Sequence, residues 1–109
     1  MNMLLAFSVA PLGSGESVAE AVADAIAVVR DSGLDYHLGS MFTTIEGEWD
    51  EVFATVRRAT DAVAAHGHRI SLTMKADIRP GHDRELTGKV ERVERVLAER
   101  DSGSQSAGR

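Results

Sequence analysis

The chain contains no cysteine. That one absence excludes disulfide scaffolds, thiolate metal sites and cysteine nucleophiles together. Nowhere does an apolar run approach the roughly 20 residues that a membrane-spanning helix needs, so no membrane is expected as a partner. Basic residues are outnumbered, 12 against 17 acidic ones, for a formal net charge of -5. A nucleic-acid footprint needs the opposite balance, whereas a cationic ligand suits this one. The histidines are His37, His66, His68 and His82, and no two stand four residues apart. The helical spacing that sets two imidazoles on one face is missing, so neither a metal nor another cofactor is expected. No basic segment precedes the first apolar run, and Pro-Leu-Gly follows it, which is not the pattern of a signal peptide. With the missing cysteines this sets the expectation of a cytoplasmic protein.

What is present reads as one small domain. A chain of 109 residues buries roughly 60–65% of its unfolded surface, enough for one core with little to spare. Help from oligomerisation is expected. The domain is placed at 1–100. Residues 101–109, Asp101–Arg109, are rich in Ser and Gly and are expected to be a disordered tail.

Met3–Ala10 is apolar with little alternation, which marks a strand covered on both faces. Pro11 is expected to stop it. Ser17-Val-Ala-Glu20 has the form of a capping box, and apolar residues at Val18, Val22, Ala25, Ile26 and Val29 then repeat at helical spacing. A helix over Ser17–Ser32 follows, with Gly33 at its C′ position. Leu34–Leu38 alternates as a half-buried strand. Gly39-Ser40 suits a two-residue II′ hairpin, which pairs Leu38 with Met41 and Tyr36 with Thr43. Glu48–His66 carries the apolar stripe of a second helix. Arg69–Arg79 alternates as a fourth strand, and Arg84–Arg100 reads as a third helix.

The order β-α-β-β-α-β followed by α fits an α+β ferredoxin-like plait, the split-βαβ arrangement with an extra C-terminal helix. The first and third strands are expected side by side and parallel in its centre. Their carboxyl ends then open on one rim, beside the amino ends of both following helices. Rims of this kind are where ligands most often sit in α/β layers.

This plait hosts unrelated functions, so function has to come from the site. A metal-chaperone version needs a cysteine pair in the first loop. An acylphosphatase version needs an arginine there, and Pro11–Glu16 has none. An RNA-recognition version needs aromatic stacking residues on the open face, where Phe42 is the one clear candidate. No nucleophile–base pair stands out, so no catalytic residues are assigned and no enzyme is expected. Tyr36 and Thr43 read either as a cross-strand hydroxyl pair or as polar points in an apolar pocket. Glu46 reads either as a solvated residue leading into a helix or as a carboxylate for a cationic or amidine-like group. Met41 and Trp49 serve as core or as contact surface. The open face, with Leu4, Ala6 and Ser8 beside Ser71, Thr73, Lys75 and Asp77, suits sheet-on-sheet packing between subunits.

Four motifs then stand in order: Pro11-Leu12-Gly13-x-Gly15-x-Ser17-Val18, Ser32-Gly33-Leu34-x-Tyr36, Met41-x-Thr43-x-Ile45-Glu46-Gly47 and Gly88-Lys89-Val90. Together they resemble the small thiamine-binding protein family, also called UPF0045 or YkoF-like, over about Met3–Leu97. Phe42 stands where that family often has a small residue. The resemblance implies a ferredoxin-like subunit, dimers or tetramers assembled through sheets, binding of thiamine or its hydroxymethylpyrimidine part, and no established enzymatic activity. The ligand-binding residues expected on these grounds are Ser8, Leu12, Tyr36, Met41, Thr43 and Glu46. The runner-up is a structural or regulatory interaction module without a functional ligand pocket. A small enzyme working through Glu46 or a histidine ranks last.

Overall fold

The computed structural model describes residues 1–13, 18–67 and 69–106. Its elements are β1 (Asn2–Leu12), α1 (Val18–Asp31), β2 (Asp35–Leu38), β3 (Thr43–Glu48), α2 (Trp49–Ala64), β4 (Arg69–Asp77) and α3 (Glu85–Ser106). The strands form one sheet in the order β2-β3-β1-β4. This is the ferredoxin-like α+β plait with a third helix appended. The capping box expected at Ser17 lies outside the described residues.

Strand alternation sorts the side chains. Met3, Leu5, Phe7 and Val9 of β1 and Ile45 of β3 point to the helix side, where Ala21, Ala25 and Val29 of α1 and Val52, Val56, Ala59 and Val63 of α2 close on them. Each of these is essentially removed from water, and burying an aliphatic or aromatic side chain contributes roughly 1.5–3 kcal/mol. The opposite face carries Leu4, Ala6 and Ser8 of β1 level with Asp77, Lys75 and Thr73 of β4, as the sequence pattern requires. α1 ends where expected, with Gly33 in the left-handed region at φ +80. Ser32 finishes the turn: its hydroxyl donates to the Val29 carbonyl (2.5 Å) and accepts from the Leu34 N–H (3.1 Å).

The central pair differs from the expectation. β1 and β3 are antiparallel, with Asn2 opposite Glu48 and Phe7 opposite Thr43. The cause is topological. The crossover through α1 leaves β2 parallel to β1, and the hairpin then reverses β3. The carboxyl ends of the two strands therefore lie at opposite rims, Leu12 on one and Glu46 on the other.

The hairpin differs as well. Tyr36 pairs with Ile45 and Leu38 with Thr43, so Gly39–Phe42 forms a longer loop, closed by the Gly39 N–H donating to the Phe42 carbonyl at 3.0 Å. Gly39 is not among the glycines at positive φ, which a II′ turn would require at that position. The shift spans two residues, so every side chain keeps its face while Tyr36 and Thr43 lose their direct opposition.

β1 also continues through Pro11, opposite Ile70, to Leu12. Past Phe7 no strand of the described residues pairs with β1 on its β3 side. A residue without an N–H is tolerated along such an edge. α3 starts one residue later than the sequence suggests and extends beyond Arg100 to Ser106. No proline interrupts that stretch, and the helix carries through Asp101-Ser-Gly.

Candidate functional site

The two rims of the sheet are built differently. At the rim where β1 ends and β3 begins, β1 runs past its neighbour and leaves a notch. α1 roofs the notch and the Gly39–Phe42 loop walls it. The resulting cavity, about 260 Å³, is bordered by Phe7–Ala10 of β1, Val18, Val22, Ala25 and Ile26 of α1, and Leu38–Thr43. Three of the expected ligand residues, Ser8, Met41 and Thr43, meet here. Thr43 is 6% exposed as a whole; its hydroxyl bonds no protein group among the described residues and stays accessible to solvent, since no shielded side-chain oxygen lacks a partner. Met41 stands at the mouth, 77% exposed. Ser8 belongs by alternation to the open face, so it borders the cavity from the strand rather than reaching into it.

The other expected residues lie apart. Leu12 borders a separate hollow with Gly13, Ala64–Gly67 and Arg69. Beside that hollow, His66 Nε2 meets Asp24 Oδ2 at 2.6 Å, tying the end of α2 to α1. Tyr36 is half-exposed on the edge strand β2. Trp49 lies at the opposite rim and packs on Phe53, with ring centroids 4.8 Å apart.

Glu46 occupies that opposite rim and is 5% exposed. Its carboxylate accepts from the Asn2 side-chain amide (2.8 Å), from the Glu85 N–H (2.7 Å) and from the Leu86 N–H (3.1 Å). The last two are orphan donors of the first turn of α3, where the helix dipole also favours negative charge. Sequence reasoning noticed the carboxylate and missed its partners, because the helix it caps starts almost forty residues later along the chain. Two ion pairs lie at the same end of α3, one to the sheet and one within the helix. Lys89 bonds Asp77 of β4, and Arg92 bonds Glu85 at 2.6 Å. The hydrogen bond from Lys89 holds the Asp77 carboxyl below its ordinary range, with Arg79 and Lys75 adding to it. The hydrogen bond from Arg92 does the same for Glu85. From Lys89 to Gly103 every residue of α3 is exposed.

No group of three or more metal-ligating side chains occurs among the described residues. No helix there is long and apolar enough to cross a membrane. The arrangement is that of a small ferredoxin-like domain with a largely apolar cavity at one end.

The model of the thiamine-binding protein family matches residues 5–94, and the chain belongs to that family. A UPF0045 protein of Mycobacterium bovis is 55% identical over 98 residues, covering 89% of this chain and 96% of the relative. A solved Methanocaldococcus jannaschii protein superimposes with a TM-score of 0.78 at 27% identity, over 85% of this chain and 96% of that one. A Bacillus cereus domain of unknown function, DUF77, gives a TM-score of 0.71 at 33% identity, over 78% of this chain and 85% of its own.

Proposed function

We propose that the protein binds thiamine or a related hydroxymethylpyrimidine compound, without catalysing a reaction, as a small cytoplasmic homo-oligomer, a dimer or tetramer. Family membership supplies the ligand class. The observation that carries the reading is the end cavity, with the solvent-accessible Thr43 hydroxyl among its bordering groups. An apolar hollow with a few fixed polar points is the usual make-up of a small-molecule site. Its size, about 260 Å³, suits a single flat heterocycle. Ser8, Met41 and Thr43 are the residues we assign to it. The placement of Glu46 supports a structural role for that carboxylate.

Two surfaces support assembly. The open sheet face presents small residues on β1, and α3 exposes Val90, Val93 and Leu97 at helical spacing. The same α3 stripe also favours the alternative, an interaction module that uses its surface rather than its cavity. Titration calorimetry with thiamine, beside light scattering at micromolar protein, separates the two. Saturable heat whose affinity falls by about 1 kcal/mol in Thr43→Val supports ligand binding, and no heat with a well-defined oligomer supports the module.

A further inference from the structure

Every residue of α3 from Lys89 to Gly103 is exposed, yet the faces of the helix are not alike. Leu86, Val90, Val93 and Leu97 follow one another at spacings of four, three and four, the a/d rhythm of a helix that pairs with another helix. Val90 is 56% exposed, Val93 60% and Leu97 50%, and Val96 widens the stripe at 45%. Glu91, Arg95 and Glu99 run down the opposite face at i, i+4 spacing, where alternating charge supports a helix in water. Helices in proteins take most of their stability from packing an apolar face. α3 has such a face, and its own chain leaves it in water. The face is also presented ready-made. Glu46 caps the first turn and Lys89 bonds Asp77 of β4, so little ordering entropy is lost when a partner docks.

The flanks of the stripe select the occupant. Lys89 and Arg100 lie along one side of it, Glu94 and Asp101 along the other. A membrane surface asks for basic residues across the polar face, and a partner helix of one charge sign is repelled by one flank. A second copy of α3 suits both. Laid antiparallel, two copies set Leu86 opposite Leu97 and Val90 opposite Val93, and the twofold axis repeats both pairs, so all four layers are apolar. Arg100 of each helix then comes level with Asp83, just ahead of the other helix, an opposite charge. The parallel arrangement stacks Arg100 on Arg100 and crowds both domains at one end.

We infer that α3 is a pairing arm, whose stripe of Leu86, Val90, Val93 and Leu97 packs antiparallel on the same stripe of a second copy, with the two domains at opposite ends. The inference rests on the oligomer named under Proposed function and adds to it a helix seam separate from the open sheet face. Four layers bury less than the roughly 1,200 Å² of a lasting interface. Pairing through α3 is therefore concentration-dependent, and it lasts where a second surface joins it.

The test is sedimentation velocity on the full chain, diluted through the micromolar range. Val93→Glu puts a carboxylate into a central layer, and Glu at an exposed helical position keeps the helix. The concentration at which the largest species half-forms should rise by about tenfold or more, with helix content and melting temperature unchanged. Arg95→Gln, on the opposite face, should leave assembly as it is. The same assembly in Val93→Glu as in the parent overturns the seam and leaves the oligomer standing; a parent that is monomeric throughout removes both. Calorimetry with thiamine reports on the ligand separately. Orientation is read by cross-linking, which a chain without cysteine makes clean. Leu86→Cys and Leu97→Cys chains, oxidised after mixing, should give a disulfide-linked dimer that neither gives alone. Antiparallel pairing holds the two positions 97 about 16 Å apart along the axis. A Leu97→Cys chain that links to itself as readily, or a mixture that gives no link, overturns the antiparallel seam.

Discussion

The two rims of this sheet each carry a buried polar group, and the two groups are in opposite states. At one rim Glu46 is saturated: an amide and two helix N–H groups of its own chain fill it. At the other the Thr43 hydroxyl bonds no protein group among the described residues and stays open to solvent beside the cavity. A satisfied buried carboxylate is a fastening. A hydroxyl that keeps its hydrogen-bonding capacity free beside a cavity is an opening for something else. Chemical type alone gives the reverse ranking, since a carboxylate looks more functional than a threonine.

The largest expected effect tests the fastening. Glu46→Ala leaves the Asn2 amide and the Glu85 and Leu86 N–H groups without their acceptor. Hydrogen bonds to charged groups contribute roughly 1.5–3 kcal/mol each, with partial recovery by water. Urea denaturation should show a loss of about 3 kcal/mol, and amides at the start of α3 should exchange faster. Thiamine affinity of the folded fraction should stay within about twofold. A stable variant with impaired binding would exchange the roles assigned to the two rims.

Next comes the loop that walls the cavity. A Cβ on Gly39 would lie 2.6 Å from the Phe42 carbonyl oxygen. That atom is backbone and cannot swing aside, so Gly39→Ala has to reshape Gly39–Phe42. Overpacking of this sort costs about 1–3 kcal/mol. The melting temperature should fall, and binding should fall with it. A variant that melts normally and binds normally would show that the loop adapts without touching the site.

The hairpin also shows how far the sequence could be read. Alternation marked the faces of β3 correctly, with Ile45 in the core. β1 shows little alternation and is expected to be covered on both faces, whereas it buries only its helix side, with Met3, Leu5, Phe7 and Val9. Of the helix stripes Ala25, Val29, Val52, Val56, Ala59 and Val63 are core, while Val18 and Trp49 are exposed and Ala21 joins the core unexpected. A one-residue slip would have turned Thr43 and Ile45 outward, so the pattern forbids it. A two-residue slip keeps every face and leaves no trace in the pattern. Gly39-Ser40 resembles a tight turn, yet pairing resumes only at Thr43. The notch past Phe7 and the cavity in it follow from that shift, so neither was legible. The direction of β3 could have been read: a hairpin after a crossover must return antiparallel to β1. The cap on α3 could not, because Glu46 and Glu85 are joined only by the way the third helix folds back. Val18, Val22 and Ile26 repeat at helical spacing, which holds no sign that they border a cavity.

A smaller effect tests the opening directly. Thr43→Val keeps the shape and the β-branch, and no protein hydrogen bond is lost with the hydroxyl. Thermal stability should stay within a degree or two. Thiamine and free hydroxymethylpyrimidine should each bind about 1 kcal/mol more weakly, the net worth of one neutral hydrogen bond. Equal losses for both compounds place Thr43 at the pyrimidine. A loss confined to thiamine would set Thr43 beside the thiazolium and weaken the contrast between the rims.

The smallest effect concerns the ion pairs that reinforce the fastening. Lys89 holds Asp77, and Arg92 holds Glu85, below the usual carboxylate range. A carboxyl group whose pKa is depressed on folding adds stability above its unfolded pKa, about 4, and loses it as pH falls through the folded value. Both pairs therefore help at neutral pH and weaken only in acid, beginning near pH 4. Asp77 and Lys89 are each half-exposed, so solvent and salt screen them and the effect is modest. Hydrogen exchange followed downward from pH 7, corrected for its intrinsic pH dependence, should show α3 loosening below about pH 4 while β1 and β3 remain protected. Asp77→Asn should already be slightly loosened at neutral pH and should change less on acidification than the parent. If α3 and the sheet instead lose protection at the same pH in both proteins, the Lys89–Asp77 pair does not fasten the helix separately.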